Sequence, residues 1–268
     1  VRQARRFGLE FRILQWPWGE PWNLQDVERA LRSDPPIDWI WGVHLESSTG
    51  VLNDLDGLKR LAREHGTTLC VDAVSSLGAV PLSLQGVDLA SGVSGKSLGS
   101  YPGVAIVFAE ASRLGAVQRD RIPEYLDLQA ALSAEGPRFT FPSSPLLALD
   151  EALHQYATPD RRKARFSRYA ELGRYVRSQL RNFGMAPMAD EATAAPVITT
   201  FMAPAGKSST EFVDLCRQWG YEIAGLSRYL QQRRLVQIAT MGDVTLDDCE
   251  RLFDCLAAWL RTRQETTE

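Results

Sequence analysis

Two residues in this sequence stand out for the chemistry that they could perform together. Lys96 lies in a run of small residues, Ser94-Gly95-Lys96-Ser97, and Asp72 ends an apolar run that begins at Leu69. A lysine amine can form an imine with an aldehyde and, once released, can move a proton as a general base. A carboxylate beside a pyridine nitrogen keeps that nitrogen protonated, which favours the ring as an electron acceptor. The pair therefore points to pyridoxal phosphate as the cofactor.

Other interpretations of the same residues are possible. Most lysines are solvated surface charges, and an aspartate after an apolar run is usually a turn former or a helix cap. Residues 90–97 also match the phosphate loop G-x-x-x-x-G-K-[ST], except that Ala90 replaces the first glycine. That motif must open a helix, whereas residues 98–103 (Leu-Gly-Ser-Tyr-Pro-Gly) break one. Nucleotide binding is therefore the weaker interpretation.

Strand and helix patterns alternate along the first part of the chain. Apolar runs predict strands over residues 10–14, 38–43, 67–71, 87–90 and 104–109. Between them, Leu58, Leu61 and Ala62 share one face of a helix predicted over residues 55–64. This order predicts an α/β fold with a mostly parallel sheet and helices on both faces. Lys96 and Asp72 would then lie beyond strand ends, at the carboxyl edge where ligands of such sheets collect.

The remainder of the chain predicts a smaller α+β unit. Its predicted elements are helices over 144–157 and 159–182, strands over 195–203 and 235–239, a helix after the capping box at Ser208 and a last helix from Thr245. We expect residues 1–158 to be the rest of a large domain and residues 159–268 to be the small domain.

Composition narrows the function classes. The 268 residues carry a formal net charge of -3 and 44% hydrophobic residues, which is typical of a soluble globular protein without a bulk basic bias. We expect neither nucleic acid nor a membrane as partner. The four cysteines show no C-x-x-C spacing, which favours a reduced cytoplasm, and the three scattered histidines predict no metal site.

Two longer motifs resemble a known family. Residues 44–55 (His-Leu-Glu-Ser-Ser-Thr-Gly-Val-Leu-Asn-Asp-Leu) and residues 71–78 (Val-Asp-Ala-Val-Ser-Ser-Leu-Gly) are similar to the signatures of the class V aminotransferases, which are fold type I pyridoxal-phosphate enzymes. The resemblance runs from about residue 1 to residue 260. It implies the fold of that family, with a large domain that is incomplete at its N-terminal side and a smaller α+β domain.

The resemblance also implies roles for single residues. Lys96 would be the Schiff-base lysine, and Asp72 would be the partner of the pyridine nitrogen. Ser47 would lie near the ring hydroxyl, and Val74 would pack on one face of the ring. Thr140 matches a threonine that reaches the cofactor phosphate of the neighbouring subunit, so the family implies a homodimer with sites at the interface.

Three departures from the family pattern are visible. Relatives carry Gln or Asn directly before the lysine, where this chain has Gly95. Relatives also hold the acid group of the substrate with an arginine, where this chain has Gln237, which can donate hydrogen bonds but has no charge. We expect Gln237 to be the substrate contact, with Arg228, Arg233 or Arg234 as possible replacements. The third departure is that the phosphate cup and the stacking aromatic residue have no counterpart.

The resemblance implies transamination of a small amine with a 2-oxo acid. Within the family, residues 52–55 and 195–204 and the run Met241-Gly242-Asp243-Val244 are similar to enzymes that use 2-aminoethylphosphonate and pyruvate. Alanine–glyoxylate and serine–pyruvate transaminases share much of the first signature and are the alternative. A further alternative is a truncated or inactive fragment, or one subunit of a split enzyme.

Overall fold

The structure is a computed structural model, and it describes residues 1–114 and 122–265. The helices are α1 (Arg2–Arg6), α2 (Leu24–Leu31), α3 (Leu55–Glu64), α4 (Leu128–Leu132), α5 (Ser143–Leu153), α6 (Pro159–Asn182), α7 (Ser209–Gln218), α8 (Arg228–Arg233) and α9 (Leu246–Glu265). The strands are β1 (Trp39–Val43), β2 (Leu45–Glu46), β3 (Val51–Leu52), β4 (Thr68–Asp72), β5 (Leu89–Val93), β6 (Ala105–Ala109), β7 (Ile198–Met202) and β8 (Leu235–Ala239).

The central sheet has the strand order β1-β4-β5-β6. Strands β1, β4 and β5 are parallel, and β6 is antiparallel to β5. The predicted α/β class with a mostly parallel sheet is confirmed. In the register, Val43 pairs with Asp72 and Asp72 pairs with Ser91, so three strands reach the carboxyl edge side by side.

One face of the central sheet is covered and the other is open in the described residues. Leu69, Val71 and Ala90 pack against apolar residues of α2 and α3. On the other face, the side chains of Trp41 and Val107 are 62% and 52% exposed. The expectation of helices on both faces is therefore wrong for the described part of the chain, because α6, α7 and α9 pack against the small sheet instead.

Two predicted strands differ from the structure. Residues 10–14 form no strand, because no neighbouring strand pairs with them, and Ile13 is half exposed. The strand predicted over 87–90 lies at Leu89–Val93 instead, since its ladder with β6 continues through the small residues Ser91 and Gly92. Sequence hydrophobicity missed this shift because small residues carry little apolar signal.

The second half folds around its own core. Strands β7 and β8 pair antiparallel, and α6, α7 and α9 bury apolar residues against them. The predicted capping box at the start of α7 is present, with Glu211 N donating to Ser208 Oγ at 3.2 Å and Ser208 N donating to Glu211 Oε2 at 2.8 Å. A further cluster, which includes Leu45, Ala79, Tyr169 and Val197, joins this half to β2 and to the segment after β4.

The described residues contain neither a membrane-spanning helix nor a metal-binding group of side chains. None of the helices described here combines the length and the apolar character needed to cross a membrane. Within residues 1–114 and 122–265, no group of three or more His, Cys, Asp and Glu side chains is arranged to hold a metal ion.

Candidate active site

Three chain segments converge where β1, β4 and β5 end. His44 N donates to Asp72 O at 3.0 Å, and Ala73 N donates to Ser91 O at 3.0 Å. Beyond the strands, Ser97 Oγ donates to Ser75 O at 3.1 Å. These bonds bring the segments that carry Ser47, Asp72 and Lys96 to one edge of the sheet. A parallel sheet exposes its ligand site at this edge.

The Asp72 side chain is fixed by its own turn. Val74 N donates to Asp72 Oδ1 at 2.9 Å, and both side chains are half-buried. Asp and Asn side chains commonly accept a bond from the backbone two residues on, which stabilises a turn. The bond fixes the carboxylate and holds Val74 next to it, as the roles implied for these two residues require.

Lys96 lies in a loop, residues 94–100, that is fastened on both sides; we call it the lysine loop. Ser94 Oγ donates to Tyr101 O at 2.7 Å and accepts from Val104 N at 3.2 Å. Lys96 itself is half-buried, and its ammonium makes no hydrogen bond or ion pair with the described residues. An amine without a partner in a fixed loop is free to react, so Lys96 and Asp72 fit the aldehyde and the pyridine nitrogen of pyridoxal phosphate.

Gly95 is explained by the same loop. A Cβ atom built on Gly95 would lie 2.6 Å from Pro102 Cα and 2.8 Å from Pro102 N. These backbone atoms cannot move aside as the end of a flexible side chain can. The side chain that relatives carry before the lysine therefore has no space in this chain.

Gln237 is buried and faces the loop of Ser47. Its Nε2 donates to Ser47 O at 2.6 Å and lies 3.2 Å from Ser48 O and 2.8 Å from Thr200 Oγ1. The side-chain amide has only two hydrogens to donate, and these three acceptors use them. As a substrate contact, Gln237 stays a prediction. In the structure its amide nitrogen fastens β8 to the loop after β2.

Two of the three candidate arginines are engaged elsewhere. The Arg233 guanidinium stacks over the Trp18 ring at 4.3 Å from its centroid. Arg234 donates through Nη2 to Lys207 O at 2.9 Å and to Pro204 O at 3.4 Å. Arg228 is exposed at the start of α8. Neither Arg233 nor Arg234 is available to replace a charge at position 237.

Thr140 is the one predicted site residue that the structure does not bring to the sheet edge. It is exposed in the stretch between α4 and α5. Residues 122–147, which we call the Thr140 segment, carry several exposed large apolar side chains, among them Tyr125 at 75% and Leu147 at 69%. An apolar surface of this kind marks an interaction site more often than a free surface.

Sequence reasoning missed three residues at this site. The hydroxyls of Tyr156 and Tyr169 both lie 2.8 Å from the carbonyl oxygen of Ser97, the residue after Lys96. His44 is buried beside Asp72, and this burial lowers its pKa to about 4. No sequence signal points to the tyrosines, because they lie 59 and 72 positions from Ser97. The sequence indicated His44 only as the first residue of a family motif, without a role of its own.

A lysine and a carboxylate beyond neighbouring strand ends of an α/β sheet fit a pyridoxal-phosphate enzyme of fold type I. Comparison with known proteins narrows the class. The family Aminotransferase class-V matches residues 2–120. A 2-aminoethylphosphonate–pyruvate transaminase from Burkholderia ambifaria is 38% identical over 267 residues, which cover 96% of this chain and 70% of the relative.

Solved structures agree with this assignment. The alanine–glyoxylate aminotransferase of Nostoc sp. superposes with a TM-score of 0.83 at 28% identity, over 97% of this chain and 71% of the other. The ureidoglycine–glyoxylate aminotransferase of Bacillus subtilis gives 0.84 at 25% identity, over 97% and 70%. The chain belongs to the class V aminotransferases and is a pyridoxal-phosphate-dependent transaminase.

Proposed function

We propose that this transaminase moves an amino group from 2-aminoethylphosphonate, or a similar small amine, to a 2-oxo acid such as pyruvate. The observation that carries the proposal is the unpartnered Lys96 ammonium at the sheet edge that also holds Asp72. The relative from Burkholderia ambifaria, named for these two substrates, supports the choice of donor and acceptor. The similarity at residues 195–204 and 241–244 supports it as well.

Lys96 and Asp72 have separate roles in the proposed reaction. Pyridoxal phosphate, when bound, supplies an aldehyde that exchanges the amino group and a ring that accepts electrons. Lys96 Nζ would hold the cofactor through its aldehyde group, and the free amine would move the proton at the α-carbon of the substrate amine. The Asp72 carboxylate would keep the ring nitrogen protonated, an effect worth several kcal/mol where water is scarce.

The proposal also covers the domain division, the oligomeric state and the localisation of the protein. Residues 1–158 form the large domain and residues 159–268 the small domain, which the separate apolar clusters of the two halves support. The protein is a homodimer in which Thr140 reaches the neighbouring cofactor, as the exposed apolar side chains of the Thr140 segment support. It is cytoplasmic, which its four free cysteines support.

The test uses the purified chain with added pyridoxal phosphate. We expect a visible absorption band that borohydride removes and that Lys96→Ala lacks, whereas Lys163→Ala, on the exposed side of α6, keeps it. Asp72→Asn retains the acceptor for Val74 N, so it should fold normally but transaminate at least about a hundredfold more slowly. A band that persists in Lys96→Ala, or an Asp72→Asn variant with full activity, would contradict the assignments.

A second candidate is a transaminase of the alanine–glyoxylate or serine–pyruvate type. The solved structure from Nostoc sp. favours it, and the uncharged Gln237 gives no group that would select a phosphonate. Assays with alanine and glyoxylate, beside 2-aminoethylphosphonate and pyruvate, decide between the two. The donor with the higher kcat/KM identifies the function, and no turnover with either pair would reject both.

A further inference from the structure

The peptide that follows Lys96 is held by two phenols. Tyr169 Oη donates to Ser97 O at 2.8 Å, and Tyr156 Oη, which has a single hydrogen, lies 2.8 Å from the same oxygen and 2.9 Å from Gly78 O. A carbonyl oxygen has two lone pairs and can accept both. The hydroxyl of Ser97 donates to Ser75 O, and Ser97 is fully buried. One residue beyond the reactive lysine, the backbone is therefore fixed from several directions.

A buried arginine supports the two rings. The Arg165 guanidinium lies 4.7 Å from the centroid of the Tyr169 ring and 6.0 Å from that of Tyr156, and its side chain is 3% exposed. It also packs on the end of the lysine loop, because a Cβ atom built on Gly99 would lie 2.5 Å from its Nη2. Cations over aromatic faces are attracted most strongly where water is excluded. Arg165 thus fixes both the rings and the loop that they hold.

Tyr169 extends this arrangement to the second half of the molecule. Its hydroxyl accepts a hydrogen bond from Gly242 N at 3.1 Å, while Arg168 donates to Gly242 O. Gly242 lies in the turn after β8, and β8 carries Gln237. The hydroxyl of Tyr169 therefore connects the lysine loop with the turn at Gly242. This turn follows β8, the strand that faces the loop of Ser47.

We propose that Tyr156 and Tyr169 are positioning residues for Lys96. They hold the Ser97 carbonyl so that the lysine amine keeps one position at the sheet edge, and Tyr169 ties that position to the turn at Gly242. The proposal rests on the proposed function of Lys96. It adds that the lysine loop is fixed by side chains from outside the sheet, Tyr156 just before α6 and Tyr169 within it.

The first test is hydrogen exchange on the chain without cofactor. The amides of Gly99 and Ser100 donate to Lys96 O and Ser94 O, so they report opening of the lysine loop. We expect each Tyr→Phe change at 156 or 169 to speed their exchange about two- to tenfold, as loss of one hydrogen bond would. Tyr175→Phe is the matched control, since Tyr175 lies on the same helix but packs against Phe253. Exchange equal to that of Tyr175→Phe would overturn the proposal.

The second test distinguishes an effect on the position of Lys96 from a general loss of stability. In the half-reaction of the loaded enzyme with 2-aminoethylphosphonate, followed at the visible band, we expect Tyr169→Phe to lower the limiting rate while the half-saturating concentration stays unchanged. A half-saturating concentration that changes by as large a factor as the limiting rate would overturn the positioning role. An unchanged limiting rate would overturn it as well. If the wild-type chain forms no lysine-dependent band, the proposed function fails instead, and the exchange measurement alone decides whether the tyrosines hold the loop.

Discussion

The lysine loop and the Thr140 segment are built in opposite ways. In the lysine loop, Ser94 and Ser97 are fully buried and bonded, whereas the Lys96 amine and the buried Ser100 hydroxyl have no partner among the described residues. In the Thr140 segment, large apolar side chains such as Tyr125 and Leu147 are exposed. The reactive lysine is therefore held by packing within one chain, whereas the Thr140 segment leaves large apolar side chains uncovered.

Acid should destabilise the fold through His44, which is buried at the carboxyl edge of the central sheet. Burial of His44 is the main cause of its low pKa, about 4, which Asp56 raises slightly and Lys59 lowers further. The unfolded chain, with a histidine pKa of 6.5, therefore binds more protons between these values. This contribution is complete above pH 6.5 and is lost as the pH falls towards 4, by up to about 3 kcal/mol.

Denaturant unfolding at several pH values checks this expectation. The free energy of unfolding of the wild type should fall more steeply between pH 6.5 and 4 than that of His44→Gln. Equal slopes for the two proteins would mean that His44 takes up its proton in the folded state as easily as in the unfolded state.

A pair of glycine substitutions tests whether the lysine loop is packed more tightly than the Thr140 segment. Gly95→Ala drives a Cβ atom against the Pro102 backbone, so we expect a loss of about 1–3 kcal/mol in the free energy of unfolding. Gly136→Ala, in the Thr140 segment, meets no atom within 4 Å and should change it by less than about 0.5 kcal/mol. If both variants were equally stable, the lysine loop would not be the tighter region.

A surface substitution tests what the Thr140 segment contacts. Leu147→Gln should raise the dissociation constant of the proposed homodimer at least about tenfold, because a polar amide would replace an apolar side chain that the proposed interface would bury. Leu226→Gln, at another exposed leucine, is the control and should leave the dimer intact. Analytical ultracentrifugation over a concentration series measures both. A wild-type monomer at every concentration would reject the interface.

Local signals predicted much of the fold. The bounds of α3 and α6 match their predicted ranges, and the capping box at Ser208 starts α7, because these features depend on residues three or four apart. The family motifs led to Lys96 and Asp72. The sequence did not reveal that β6 runs antiparallel, nor that Tyr169 bonds to Ser97, since both depend on chain segments that meet only after folding.

Gln237 joins two parts of the molecule that are far apart in the sequence. Its amide nitrogen connects β8 to the carbonyl groups of Ser47 and Ser48 beside the catalytic edge. Thr200 of β7 also donates to Ser48 O, at 3.2 Å, so both strands of the small sheet hold this loop. A substitution at position 237 would therefore remove a bond of the loop as well as change the side chain beside it.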